Sequence, residues 1–159
     1  MSFTIRTATA DDYEALRGVF TGLIDMHVRL LPHIFHHPDD SYLTKQDFCE
    51  YLSRHDRAVF VAEQAGRVVG GLYIRLTQTP HSSVLNAREY AYIEHVAVQE
   101  QFRQQGVGQA LIARAHEWAK GKGLNTVELH VKAFNKKAIG FYEKLGYTIK
   151  RLEMWKSLQ

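Results

Sequence analysis

Residues 88–118 constrain this chain more than any other stretch. Ala91-Tyr-Ile-Glu-His-Val-Ala-Val98 is rich in β-branched and aromatic residues and alternates as a strand does. Gln99-Glu-Gln-Phe102 leads into Arg103-Gln-Gln-Gly-Val-Gly108, and Val107, Leu111, Ala115 and Trp118 then recur at helical spacing. A strand feeding a glycine loop and a helix gathers unpaired backbone N–H groups at the positive end of the helix dipole. That point favours phosphate oxygens, and glycine at 106 and 108 keeps side chains from holding phosphates off. A Rossmann fingerprint needs a third glycine where this chain has Leu111, and a P-loop needs Gly-Lys-Ser/Thr where it has Gly108-Gln-Ala110. Two glycines alone leave a plain tight turn equally open.

The flanking sequence predicts the order β-α-α-β-β-β-α-β-α-β. Phe3–Thr7 alternates as a strand, and Tyr13, Leu16, Phe20, Leu23, Ile24 and His27 follow at helical spacing. Leu31–Asp40 breaks that helix, and Thr44–Leu52 forms a second with Phe48, Tyr51 and Leu52 on one side. Residues 58–62 and 68–76 read as a hairpin around Gln64-Ala-Gly-Arg67. A long strand spans Arg88 to Val98, a helix about 105–120, and a strand 125–131. A helix over 136–145 ends at Gly146, and a strand over 147–155 closes the chain. This is a mixed α/β sheet with helices on both faces, one parallel crossover and antiparallel hairpin strands.

The 159 residues, 45% apolar and 23% charged, suit one globular domain spanning 1–159. No apolar run approaches the roughly 20 residues of a membrane span. The opening Met-Ser-Phe-Thr-Ile-Arg lacks an apolar signal core, which predicts a cytoplasmic protein. A single cysteine, Cys49, excludes a disulfide framework and a cysteine-based zinc site, and its place on the second helix marks it as a core residue. A net charge of +3 without a basic stripe argues against nucleic-acid binding but suits a small polyanion.

A second motif shifts the balance toward a binding role for the glycine loop. Asn135-Lys-Lys-Ala138-Ile-Gly-Phe141-Tyr142-Glu-Lys-Leu145-Gly146-Tyr147 follows a strand and opens a helix. Arg-x-x-Gly-x-Gly followed by Asn-x-x-Ala-x-x-Phe-Tyr-x-x-x-Gly-Tyr resembles the GNAT superfamily of acyl-CoA-dependent N-acetyltransferases. The resemblance implies a single domain with a mixed, mostly antiparallel twisted sheet of about six to seven strands and about four helices. It implies acetyl-CoA as cosubstrate, no metal, and a primary amine, on a small molecule or a protein, as acceptor. It further implies direct attack by the amine in a ternary complex, and a homodimer as a family-based expectation.

Carried onto this chain, the resemblance assigns a splayed strand at Val96, Ala97 and Val98 to the pantetheine arm. Arg103, Gln104, Gln105, Gly106, Val107, Gly108 and Gln109 would bind the diphosphate. Gln104-Gln105 departs from the Arg-Gly common in the family, at little cost if the contacts are main-chain amides. Asn135 would make a polar contact to the cofactor, or simply cap its helix. Tyr142 matches the general acid for the departing thiolate, since a phenol of pKa ~10 near a thiolate of ~8.5 can donate during bond cleavage.

Acetylation also needs a proton acceptor, because an amine of pKa about 10.4 is neutral about once in 2,500 molecules at pH 7, a penalty of ~4.6 kcal/mol. Glu94 is the candidate, at a spacing that resembles aminoglycoside N-acetyltransferases; alternatively it attracts a cationic acceptor. Strand parity groups Glu94 with Tyr92, Val96 and Val98 and sends His95 to the other face. His33, His36, His37, Asp39 and Asp40 read as an acceptor-side loop rather than a metal site. Arg57, Arg67, Lys132, Lys136 and Lys137 read as solvated charges, one or two reaching the CoA 3′-phosphate, and Trp118 and Trp155 as packing residues. A non-catalytic acyl-CoA sensor on the same fold is the competing function, and the presence of Glu94 and Tyr142 favours the enzyme.

Overall fold

A computed structural model describes residues 2–39 and 41–158. They contain strands β1 (Thr4–Thr7), β2 (Arg57–Gln64), β3 (Arg67–Thr79), β4 (Arg88–Val98) and β5 (Val127–Leu129). The helices are α1 (Tyr13–Leu30), α2 (Lys45–Ser53), α3 (Val107–Gly121) and α4 (Lys136–Lys144). Thr44 opens α2 with a capping box, its hydroxyl accepting from the Asp47 N–H while the Asp47 carboxylate accepts from the Thr44 N–H.

One sheet runs in the order β1-β2-β3-β4-β5. Its first four strands are antiparallel, and β5 joins β4 in parallel through the α3 crossover. The sheet has five strands rather than six or seven. The segment expected to close it, 147–155, forms no strand among the described residues. Its alternation breaks at Lys150-Arg151: Tyr147 and Ile149 share one phase, Leu152 and Met154 the other, so no register buries both pairs. Ile149, Leu152, Met154 and Trp155 are exposed, so Trp155 is not the buried residue expected.

The chain divides into two compact units, residues 1–129 and 130–159. In the first, helices cover both faces of the sheet. One face packs Val59, Val61 and Tyr73 against Leu16 of α1 and Phe48 and Tyr51 of α2. Gly71 lets α1 approach, since a Cβ there would lie 2.4 Å from Leu16 Cδ2. The other face receives Val107 and Leu111 of α3 beside Gly70. Ile112 and Ala119 are buried on α3 where Trp118 was expected, and Trp118 is only half-buried. Cys49 is likewise half-buried rather than core. Asp12 is the buried acid: it takes two 2.8 Å hydrogen bonds from Arg6 and one from the Thr9 N–H, which hold its carboxyl below the usual range. In the second unit, α4 ends at Gly146, where the Tyr147 N–H donates to the Tyr142 carbonyl.

Candidate active site

The centre of the site is an irregularity in β4. Tyr73 of β3 pairs with His95, whereas Ile74 pairs with Ile93, so Glu94 is an extra residue in the ladder. A β-bulge of this kind resets the alternation of side chains. Glu94 and His95 therefore share the α1/α2 face, with Tyr92 before them, while Val96 and Val98 fall on the α3 face. This corrects the parity expected from an unbroken strand, which separated His95 from Glu94.

The contacts agree. Glu94 Oε2 accepts from the Tyr51 hydroxyl at 2.5 Å, and Oε1 accepts from Arg75 Nε at 2.8 Å. The Tyr51 hydroxyl also lies 3.1 Å from the Ile74 carbonyl, and burial together with the Glu94 carboxylate pushes its phenol well up. His95 stands edge-on to Phe20 and Tyr73, with ring centroids 6.0 and 5.9 Å away. Its side chain is open to solvent, yet surrounding protein lowers its pKa, against a smaller upward pull from Glu94; His27 adds a further downward push. With its pKa lowered from the ordinary value, the imidazole stays neutral at pH 7.

Tyr51 and Arg75 are parts of the site that sequence reasoning missed. Tyr51 looked like one more aromatic on the apolar side of α2. Arg75 carried a signal, as a charge in phase with the buried Gly71 and Tyr73 of an otherwise apolar strand. The same row continues to Arg57, which pairs directly with Arg75 across the strands. Arg57 stacks its guanidinium 4.8 Å from the Tyr51 ring centre, and its buried Nε has no hydrogen-bond partner among the described residues. A buried donor left unpaired costs about 1–3 kcal/mol, so this position is held against a penalty.

The bulge also marks where the parallel ladder stops. β5 pairs with Ala91, Tyr92 and Ile93 and no further, so β4 from Glu94 to Val98 runs on outside it. The Gln99 N–H donates to Val69 on β3, and by alternation Ala97 also turns its backbone groups toward β3. Val96 and Val98 then turn theirs to the opposite edge. The expected trio thus separates: Val96 and Val98 present main-chain groups outward, while those of Ala97 belong to the β3 ladder. Arg103 Nε takes the outward carbonyl of Val98 at 2.9 Å.

Beyond this edge the glycine loop turns into α3. Gln104 and Gly106 have φ of 61° and 84°. A Cβ at Gly106 would meet nothing within 4 Å, so glycine there serves the left-handed backbone rather than relieving crowding. The first helical bond runs from the Ala110 N–H to the Gly106 carbonyl. The N–H groups of Val107, Gly108 and Gln109 therefore precede the ladder, as anion binding at a helix start requires. Arg103, Gln104, Gln105 and Gln109 are exposed; Val107 is buried as an α3 core residue and contributes main chain only. Gln105 Nε2 donates to the Gln101 carbonyl.

In the second unit Asn135 caps α4, its Oδ1 accepting from the Ala138 N–H at 3.2 Å, which leaves its amide N–H₂ out of that bond. Tyr142 packs between Phe141 and Tyr147, with centroids 5.2 and 5.6 Å away, and burial raises its phenol to about 12. In the loop after α1, His37 faces Asp25 at 3.5 Å and His36 contacts the His37 carbonyl; Asp40 lies outside the described residues. Arg67, Lys132, Lys136 and Lys137 are exposed. No described helix is long and apolar enough to cross a membrane.

Comparison with known proteins places the fold and the family. Residues 21–147 match the acetyltransferase (GNAT) family. A Methanocaldococcus jannaschii protein named as an uncharacterized N-acetyltransferase is 31% identical over 156 residues, covering 95% of this chain. The chain spans 63% of the length of that relative. A mutant of the BH1408 protein of Bacillus halodurans superposes with a TM-score of 0.91 at 27% identity, covering 98% of this chain and 99% of that one. The aminoglycoside N-acetyltransferase AAC(6')-Iy in complex with CoA shares the fold, with a TM-score of 0.74 at 23% identity over 99% of this chain and 96% of that one. From the bulged strand and glycine loop to the Asn135–Tyr147 motif, this chain belongs to the GNAT acetyltransferase family.

Proposed function

We propose that residues 1–159 act as one N-acetyltransferase domain that moves an acetyl group from acetyl-CoA directly to a primary amine. The observation that carries this is the end of the β4–β5 ladder at the Glu94 bulge, with a run of N–H groups one loop further on. The outward main-chain groups of Val96 suit the amides of a pantetheine arm, and the N–H groups of Val107, Gly108 and Gln109 suit a diphosphate. Arg103, anchored on Val98, and the exposed Gln104 and Gln105 border that site. Asn135 retains an amide N–H₂ for a polar contact.

Acetyl-CoA supplies an activated thioester carbonyl. Glu94 gives the acceptor side a carboxylate that draws an ammonium group. Glu94 is already tied to Tyr51 and Arg75, and His95, neutral and accessible beside it, takes the proton. Tyr142 keeps its own proton at neutral pH, as a donor to a leaving thiolate must. The test is thermal stabilisation by acetyl-CoA, followed by thiol release when amines are added. Stabilisation without thiol release across a broad amine panel would favour the acyl-CoA sensor; no stabilisation by any CoA species would exclude both.

A further inference from the structure

The charges around Glu94 do not match those expected of a site for a polycationic amine. On the α1/α2 face of the sheet, one cross-strand row runs Arg57, Arg75, Tyr92, Glu128. Arg75 is paired with Glu94, and Arg88 with Glu128. Asp56, beside Arg57 in sequence, is taken by Arg54 through two 3.0 Å hydrogen bonds. Arg57 is left without a carboxylate in ion-pair range among the described residues. It sits opposite another arginine, and of the two only Arg75 has a carboxylate in ion-pair range. Its buried Nε is unsatisfied, and its guanidinium lies over the ring of Tyr51, the residue that also donates to Glu94.

We propose that Arg57, with Arg75 beside it, forms an anion subsite that seats a carboxylate carried by the amine acceptor. The inference rests on the acetyl-transfer reading above and names its acceptor class: a carboxylate-bearing amine, not a polycation. Arginine suits this role because its planar fork matches a carboxylate. The geometry also sets a length. Arg57 lies on β2 in the row of Tyr92, whereas His95 of β4 pairs with Tyr73, two strand spacings across and two residues further along, so their backbones are roughly 12 Å apart. An amine and a carboxylate separated by several bonds, as in an ω-amino acid or the side-chain amine of a free lysine, bridge that span better than an α-amino acid.

The experiment measures thiol release from acetyl-CoA with β-alanine, γ-aminobutyrate, ε-aminocaproate, the amide of each, and putrescine. In the wild-type chain kcat/KM for the longer acids exceeds that for their amides and for putrescine at least tenfold, and rises from β-alanine to ε-aminocaproate. Arg57→Gln brings the acid-to-amide ratio close to one, mainly through KM, and Arg57→Lys restores part of it. Amides or putrescine used as well as the acids, or an unchanged ratio in R57Q, would overturn the anion subsite. So would stabilisation by acetyl-CoA with turnover of none of these acids, an outcome that leaves acetyl transfer itself standing. If R57Q fails to fold, the wild-type comparison of acids with amides still decides. Failure of acetyl-CoA to stabilise the chain would instead remove the acetyl-transfer reading on which the subsite depends.

Discussion

Gly71→Ala tests how closely α1 must lie on the sheet for both the core and the acceptor face to form. A Cβ at position 71 would sit 2.4 Å from Leu16 Cδ2 and 3.2 Å from Phe20 Cε2. Ordinary contact begins near 3.4 Å, so about 1 Å must be found at Leu16. Leu16 is 1% exposed and has no solvent to turn into, so either its rotamer strains or α1 retreats. Overpacking of this kind costs about 1–3 kcal/mol. Restricting the unfolded backbone returns about 0.4–1 kcal/mol, leaving a net loss of about 1–2 kcal/mol. For a chain of this size that lowers Tm by about 2–8 °C. Gly70→Ala is the control on the opposite face: its Cβ would lie 3.2–3.3 Å from Ala97, Leu111 and Val107, a conflict of tenths of an ångström that costs less. Calorimetry and urea titration measure both variants. Because α1 also carries Phe20 onto Tyr73 and His95, G71A should raise KM for the acceptor while leaving the affinity for acetyl-CoA unchanged. G71A within 0.5 kcal/mol of wild type, or G70A the more damaging of the two, would refute this account of the helix–sheet contact.

Three further outcomes follow from the side chains around the site. The acidic limb of the kcat/KM–pH profile should reflect His95, whose pKa is lowered by desolvation from the surrounding protein and partly restored by Glu94; Glu94→Gln should move that limb to lower pH, whereas its disappearance would make Glu94 itself the proton acceptor. Tyr142→Phe should lower kcat about 10²-fold or more with little change in acetyl-CoA affinity, and unchanged turnover would reject its role as acid. Asp12→Asn should cost about 1–3 kcal/mol at pH 7, read from urea midpoints. Asp12 titrates below its unfolded value of about 4, so its stabilisation is present above that pH and lost as pH falls through the folded value. The gap between D12N and wild type should therefore narrow below about pH 4.

Much of the fold was legible in local sequence because its signals are local. The long strand was read at Arg88–Val98 and found there, since its alternation and its glycine loop punctuate both ends. The apolar side of Thr44–Leu52 marked α2, and Asn135 was read as a candidate cap of α4, a role it takes by accepting from the Ala138 N–H. The closing strand failed for the converse reason: residues 147–155 have strand-forming types but no single phase, and only pairing can tell whether such a segment is used. Trp118 and Ile112 exchanged roles because both lie within the apolar arc of α3, and which edge of that arc faces the sheet depends on how the helix is rolled.

The amino-acid sequence by itself determined the order of elements as far as α4, the glycine loop at the start of α3 and the pairing of two distant motifs that marks the family. Each is written within a dozen or so residues as periodicity, capping or turn chemistry. Tertiary structure alone decided which chemistry shares a face. Inserting Glu94 into the β4 ladder reverses the alternation beyond it, and nothing in Ile93-Glu94-His95 distinguishes a bulge from a regular strand until β3 is laid alongside. The same holds for Tyr51, Arg75 and Arg57, which come from three elements and meet only because β2, β3 and α2 stack there. A bulge is a property of a strand pair rather than of a strand, and a charge balance is a property of a surface.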